Sequence, residues 1–212
     1  NSGDIENIGI KFDKVHWQKT LQNAHVNAIT CIAKCHHGWS YHNTSVGKRH
    51  PHLKFDFLTE QYQASKDIGL EFRIYLSAGF DNLIGVENPQ WRQITSTGQY
   101  LGRAKSPLEP GFHAVCFNSP YLDYLGRQIK EVVDLYPDAD GIFLDIIEQG
   151  QCCCPWCMQV MKENSLDPEK EDDRKKCAAI AIKRYYELST KICKSNNPKM
   201  PVFHNSGHIT RG

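Results

Sequence analysis

The chain has 212 residues with 25 basic and 24 acidic side chains, ten histidines and a formal net charge of +1. That length is enough for one large domain with a buried core, and 40% apolar with 23% charged residues argues against disorder. The near-neutral balance lacks the basic footprint that nucleic-acid binding needs, and no apolar run approaches the ~20 residues of a membrane span.

Strand-like and helix-like stretches alternate along the chain. Ile8 to Phe12 is a short apolar–polar alternation. Asp13 then caps a helix in which Trp17, Leu21 and Ala24 share a face. Ala28 to Ala33 is a compact apolar run, as expected for a strand covered on both sides. A Gly- and His-rich stretch follows before Asp56 opens a second helix, with Leu58, Tyr62 and Ser65 inward. Leu70 to Ala78 reads as the next strand. Ser119 and Pro120 supply an N-cap and a proline at the first helical position. The face Leu122, Leu125, Ile129, Val132 and Val133 then runs to Leu135. Gly141 to Ile147 is a fourth strand. A helix from about Asp172 to Cys193 buries Cys177, Ala181, Leu188 and Ile192, and Pro201 to His204 starts a fifth strand.

This alternation predicts an α/β fold with a parallel sheet. No G-x-G-x-x-G follows the first strand and no Walker sequence occurs, so an organic nucleotide cofactor is not expected. The unusual residues fall on the loops after the strands, where a (β/α)8 TIM barrel carries its chemistry. Eight strands ordinarily need about 250 residues. With about five strands in view, residues 1–212 read as the N-terminal part of a catalytic barrel, truncated before its remaining strands and any accessory domains.

Asp145 ends an otherwise aliphatic strand. A carboxylate there is costly unless it is hydrogen-bonded or sits at a solvated mouth. At the C-terminal face of a barrel it could attack an electrophilic carbon; otherwise it is a helix cap or a salt-bridged core aspartate. Glu148, three residues on, is a candidate second carboxylate or a merely solvated one. Lys34, His36, His37 and Trp39 crowd the end of the second strand, where imidazoles can bind hydroxyls and an indole can stack on a sugar face. Adjacent histidines on a strand point to opposite sides, which disfavours a shared metal. Structural histidines are the competing reading.

Nine cysteines, an odd number, do not suit a secreted disulfide scaffold. Cys152, Cys154 and Cys157 have the spacing to wrap one tetrahedral ion, with Pro155 stiffening the turn and Cys116 as the fourth ligand. Structural zinc is the expectation; free thiols or a disulfide pair are the alternatives. Clustered free cysteines and the lack of an opening secretory signal favour a cytoplasmic location.

The residues also resemble known families. Lys34-Cys35-His36-His37-Gly38-Trp39 is similar to the K-H-H-D-G-F stretch of retaining α-L-fucosidases, and Asp140-Gly141-Ile142-Phe143-Leu144-Asp145 resembles the pattern that ends in their nucleophile. Cys35 and His37 depart from that stretch. HPHL, FNSPYLDYL, CCCPWC and FHNSGHITRG resemble the domain called hypothetical glycosyl hydrolase 6, to which a second fucosidase family is similar. The cysteine pattern resembles the zinc site of certain barrel β-galactosidases, whose Asn-Glu acid/base pair this sequence lacks.

The resemblance implies a retaining, exo-acting glycoside hydrolase of α-L-fucosidase type acting on a carbohydrate substrate. Asp145 is its nucleophile, with His36, His37 and Trp39 on the sugar, Lys34 and His204 lining the pocket, and the general acid outside the chain. Any homo-oligomer would form through regions outside this chain. A non-catalytic carbohydrate-binding barrel, a β-galactosidase-like glycosidase with structural zinc, and a metal-dependent hydrolase using the histidines are the alternatives.

Overall fold

The structure, a computed structural model, describes residues 3–102 and 111–206. The last residues of the FHNSGHITRG motif, 207–212, lie outside the described residues. Helix α1 (Lys14–Asn23) starts where Asp13 accepts from the His16 amide at 2.6 Å. Strand β1 (Ala28–Lys34) follows, then two short strands, β2 (Trp39–Ser40) and β3 (Lys48–Arg49). Helix α2 (Phe57–Asp67) is capped by Asp56 through the Thr59 amide at 2.9 Å and leads into β4 (Glu71–Ser77). The span after β4 contains helix α3 (Asn82–Glu87), which the sequence pattern did not predict. Helix α4 (Tyr121–Leu135), β5 (Gly141–Asp145), α5 (Pro155–Glu163), α6 (Glu171–Cys193) and β6 (Val202–Asn205) complete the order.

The sheet runs β3-β2-β1-β4-β5-β6, and β1, β4, β5 and β6 are parallel neighbours in chain order. Side-chain period decides what each face does. Cys31 and Ala33 of β1, Phe72, Ile74 and Leu76 of β4, and Ile142 and Leu144 of β5 point into one core with Leu125, Ile129, Val132, Ala181 and Tyr185 of α4 and α6. On the other face Ile32 is 45% and Phe203 57% exposed. Helices on one face of a sequentially ordered parallel sheet make the wall of a (β/α)8 barrel, whereas a doubly wound sheet is covered on both faces. Gly126 lets α4 and α6 approach: a Cβ there would stand 3.2 Å from both Leu188 and Ile192. Those two residues are half-buried at this seam, while Cys177, Ala181, Tyr185, Ser189 and Cys193 form the buried stripe of α6.

Two expectations are corrected. Ile8 to Phe12 is not a strand: Asn7 and Gly9 take positive φ (59° and 70°), two tight turns follow, and only Ile8 bridges to Leu53. Asp145 therefore ends the third of the parallel strands rather than a fourth. That strand also stops at Asp145 instead of Ile147, because Ile146 turns into the left-handed region at φ 59°. Among the described residues, no helix is long and apolar enough to cross a membrane.

Candidate active site and cysteine cluster

Sheet register places Ser77, Asp145 and Asn205 side by side at the C-terminal ends of β4, β5 and β6. The Asp145 side chain lies on the face away from the helices and is only 11% exposed. Each carboxylate oxygen has its own neutral donor. Tyr75 donates its phenolic proton to Oδ2 at 2.5 Å, and Asn205 Nδ2 donates to Oδ1 at 2.7 Å. The Asp145 carbonyl accepts from the amides of Ala78 (2.8 Å) and Gly79 (3.3 Å), so main chain and side chain are both fixed. These donors offset the cost of holding a carboxylate out of water. Burial first, and then the hydrogen bond to Asp145, push the Tyr75 phenol far above its ordinary range, so it stays a donor.

His36 follows β1 and brings Nε2 to 3.8 Å from Asp145 Oδ2. Its Nδ1 lies 2.7 Å from Ser77 Oγ, whose own proton goes to the Phe80 carbonyl at 2.9 Å. A hydroxyl has one proton, so Ser77 accepts here and His36 Nδ1 carries hydrogen. Nε2 is then turned toward Asp145 and Tyr75. The rings of His36 and His37 lie 4.9 and 5.1 Å from Phe112, which stacks on Phe80. The two histidines thus occupy a turn and share one aromatic wall instead of opposing each other across a strand. Burial lowers the pKa of His37, and His36 adds to the effect.

Three expected sugar contacts lie elsewhere. Lys34 is 1% exposed, and its ammonium is engaged by Asp81 (2.7 Å), Tyr121 Oη (2.9 Å) and the Ser77 carbonyl (3.1 Å). Trp39 packs against His50, ring centroids 5.5 Å apart, and against Gly3. His204 pairs with Leu144 in the sheet, so it faces α6, where Tyr185 Oη is 3.1 Å from its Nδ1. Strand period explains the exchange: it is Asn205, one residue on, that faces Asp145. Neither Tyr75 nor Asn205 was given a role from the sequence: Tyr75 sits between the core positions Ile74 and Leu76 of β4, and Asn205 ends β6 directly after His204. Glu148 is exposed, and its carbonyl accepts from Gln93 Nε2 at 3.1 Å.

A second constellation gathers Cys116 with three cysteines that begin seven residues after Asp145. The sulfurs of Cys116, Cys152, Cys154 and Cys157 lie within 4.8 Å of one another, and all four residues are buried. Cys157 comes from the first turn of α5, which starts at Pro155, a proline suited to that position. Five N–H groups point at these sulfurs: Ile94 N and Cys154 N at Cys152, Asn118 N and Gln149 Nε2 at Cys116, and Asn118 Nδ2 at Cys157, at 3.4–3.5 Å. All nine cysteines are unbridged. S–H groups of Cys116, Cys152 and Cys157 hold the Cys154 thiol well below its ordinary value, while hydrogen bonds to Cys116, Cys152 and Cys154 push Cys157 far up. Four sulfurs this close could hold a metal ion as thiolates, and the N–H donors around them suit that role. Gln93 and Gln149 tie the intervening loop down: Gln93 Oε1 accepts from Gly150 N (2.7 Å) and Gln149 Oε1 from Phe117 N (2.9 Å).

The profile of the family described as hypothetical glycosyl hydrolase 6 matches residues 13–146, a span that ends one residue past Asp145. The chain belongs to that family. Among solved structures, this hypothetical glycosyl hydrolase 6 chain is similar to α-L-fucosidase isoenzyme 2 from Paenibacillus thiaminolyticus, with 40% identity and a TM-score of 0.94 over 100% of this chain and 32% of that one. The chain thus spans about a third of the length of that enzyme. A cold-adapted β-galactosidase from Rahnella sp. R3 shares the fold, with 14% identity and a TM-score of 0.65 over 91% of this chain and 33% of that one. So does a family 29 α-L-fucosidase from Bacteroides thetaiotaomicron, at 18% identity and a TM-score of 0.54, covering 91% and 34% of the two chains. No curated protein sequence matches the chain.

Proposed function

We propose that the chain is the N-terminal part of the catalytic barrel of a retaining glycoside hydrolase that removes α-L-fucose from its substrates. The observation that carries this reading is the match along the whole chain to a solved α-L-fucosidase at 40% identity. Asp145 is the nucleophile. It attacks the anomeric carbon, the glycosidic bond breaks, and its electron pair leaves with the aglycone oxygen, which takes a proton from a general acid. The resulting glycosyl ester is then hydrolysed by water. Tyr75 and Asn205 orient the carboxylate, and a proton-bearing Nδ1 leaves His36 Nε2 facing the sugar side of the site. Phe80 and Phe112 exclude water beside it.

The cysteine cluster is proposed as a structural zinc site. Cys116, Cys152, Cys154 and Cys157 would hold the ion, which takes no part in bond cleavage and clips the loop after Asp145 to the segment at Cys116.

The test is a panel of nitrophenyl glycosides offered to the full-length protein beside its Asp145→Asn variant. Release from the α-L-fucoside, falling by several orders of magnitude in the variant, is the expected result. Release from a β-galactoside instead would replace the sugar and bring forward the β-galactosidase-like reading. No release from any glycoside, combined with sugar binding that survives in the variant, would turn the reading to a carbohydrate-binding barrel.

A further inference from the structure

We propose that Lys34 is a positioning residue: its buried ammonium holds Asp81 as the cap of α3, and α3 in turn holds the turn that carries His36 and His37. Lys34 and Asp81 are 1% and 0% exposed, and Nζ lies 2.7 Å from Oδ2. Two charges withdrawn this fully from water are tolerated only when both are well partnered. An ammonium has three donors. Here two go to Tyr121 Oη at 2.9 Å and to the Ser77 carbonyl at 3.1 Å, and the charge itself faces Asp81 Oδ2 as an ion pair in a site closed to solvent.

The other oxygen of Asp81 accepts from the Ile84 amide at 3.0 Å, which fixes the start of α3. The next two amides reach back to the histidine turn. Asn82 N donates to the His36 carbonyl at 3.2 Å, and Leu83 N to the His37 carbonyl at 3.1 Å. The Asn82 side chain holds the facing wall as well, accepting from His113 N at 2.8 Å and donating to the Gly111 carbonyl at 3.3 Å, on either side of Phe112. Gly38 completes the fit: it has φ 93°, and a Cβ there would collide with Asp81 Oδ1. One buried ion pair therefore sets both the imidazole turn and the aromatic surface against which the imidazoles lie. Ser77 extends the link, because its carbonyl takes the ammonium while its hydroxyl takes His36 Nδ1.

The kinetic part of this inference rests on the glycosidase reading; the structural part does not. The test compares full-length Lys34→Met with the double variant Lys34→Met/Asp81→Asn. Asparagine keeps an oxygen for the Ile84 amide and leaves no buried charge unpaired. In the single variant, hydrogen–deuterium exchange across residues 81–84 rises, and kcat on the glycoside the wild type cleaves falls about 100-fold with KM changed less than about threefold. In the double variant exchange returns toward wild type and kcat recovers to within about tenfold of wild type. A rise in KM with unchanged exchange would make Lys34 a direct contact and overturn the proposal, as would a double variant no better than the single. If Lys34→Met does not fold, recovery of folded protein on adding Asp81→Asn supports the proposal, and failure of both overturns it. A wild type that cleaves no glycoside defeats the functional reading alone, since exchange still decides the role of Lys34.

Discussion

Tyr75 reaches across from β4 to donate a 2.5 Å hydrogen bond to Asp145 on β5, while Asn205 on β6 holds the other carboxylate oxygen. Three adjacent strands thus fix one side chain. Hydrogen bonds to charged groups contribute about 1.5–3 kcal/mol, so Tyr75→Phe and Asn205→Ala should each lower kcat/KM roughly 10- to 100-fold. Melting temperatures should move little, because neither polar tip carries core packing. Steady-state kinetics with thermal melts on both variants check this, and a rate within a factor of two of wild type for Tyr75→Phe would remove Tyr75 from the mechanism.

The four-cysteine cluster predicts one tightly held zinc ion per chain, measurable by elemental analysis. Cys116→Ser or Cys154→Ser should abolish it. Each kcal/mol of lost stability lowers Tm by about 2–4 °C for a chain of this size, so a fall of roughly 10 °C is expected. Gln149 joins the Asp145 loop to Cys116 Sγ (3.4 Å), so stripping the ion should also raise exchange across residues 146–157. Metal-free protein with unchanged exchange and full stability would defeat the structural-zinc assignment.

Acid sensitivity should come in two windows. Glu131 holds the 44–46 loop; burial raises its pKa, but hydrogen bonds from Ser45, Thr44 and His42 outweigh this and leave it below the ordinary carboxylate value. Its contribution to stability is therefore present above the unfolded carboxylate pKa and is lost as pH falls through the folded one. Burial lowers the pKa of His204, and burial is also the first cause of the lowering at His37 and His113. Protonation of these three favours the unfolded chain, so stability should begin to fall below the ordinary histidine value of 6.5. Melting as a function of pH should show both limbs, and Glu131→Gln should flatten only the more acidic one.

Gly79→Ala should be severe. A Cβ there would run into the Ile146 carbonyl, a backbone atom that cannot step aside. The expected cost is about 2–4 kcal/mol of stability, together with loss of activity because the displaced residue adjoins Asp145. Denaturant unfolding of the variant measures the first effect. A change under about 0.5 kcal/mol would show that the loop yields.

Much of the frame was legible because its signals are local. Asp13 and Asp56 announce their helices, and the alternation Phe72, Ile74, Leu76 marks a half-covered strand. Asp145 stood out as a charge at the end of an aliphatic run, and the three clustered cysteines with Cys116 come together in space as their spacing suggested. What the residues hid depends on facing. His204 and Asn205 look equally suitable in the sequence, and only sheet register says which one turns toward Asp145. Lys34 read as a pocket residue because a lysine beside histidines suggests solvent and ligand. Its partner Asp81 lies 47 positions away, on a helix too short for periodicity to reveal. Helix α5 was hidden by its cysteines, whose spacing resembles a metal-binding turn before it resembles a helix start.

Ile146 holds a conformation that L-amino acids with branched β-carbons rarely adopt, next to a glycine whose missing side chain makes room for its carbonyl. For anyone varying this part of the molecule by directed evolution, this gives the strand-end loop two kinds of position. Gly79 and Ile146 form a matched pair, in which change at the first is closed off while glycine at the second would relax the backbone. Glu148, exposed two residues further on, is open to randomisation. A library that leaves the pair alone and varies the rim would spend its diversity where the fold can absorb it.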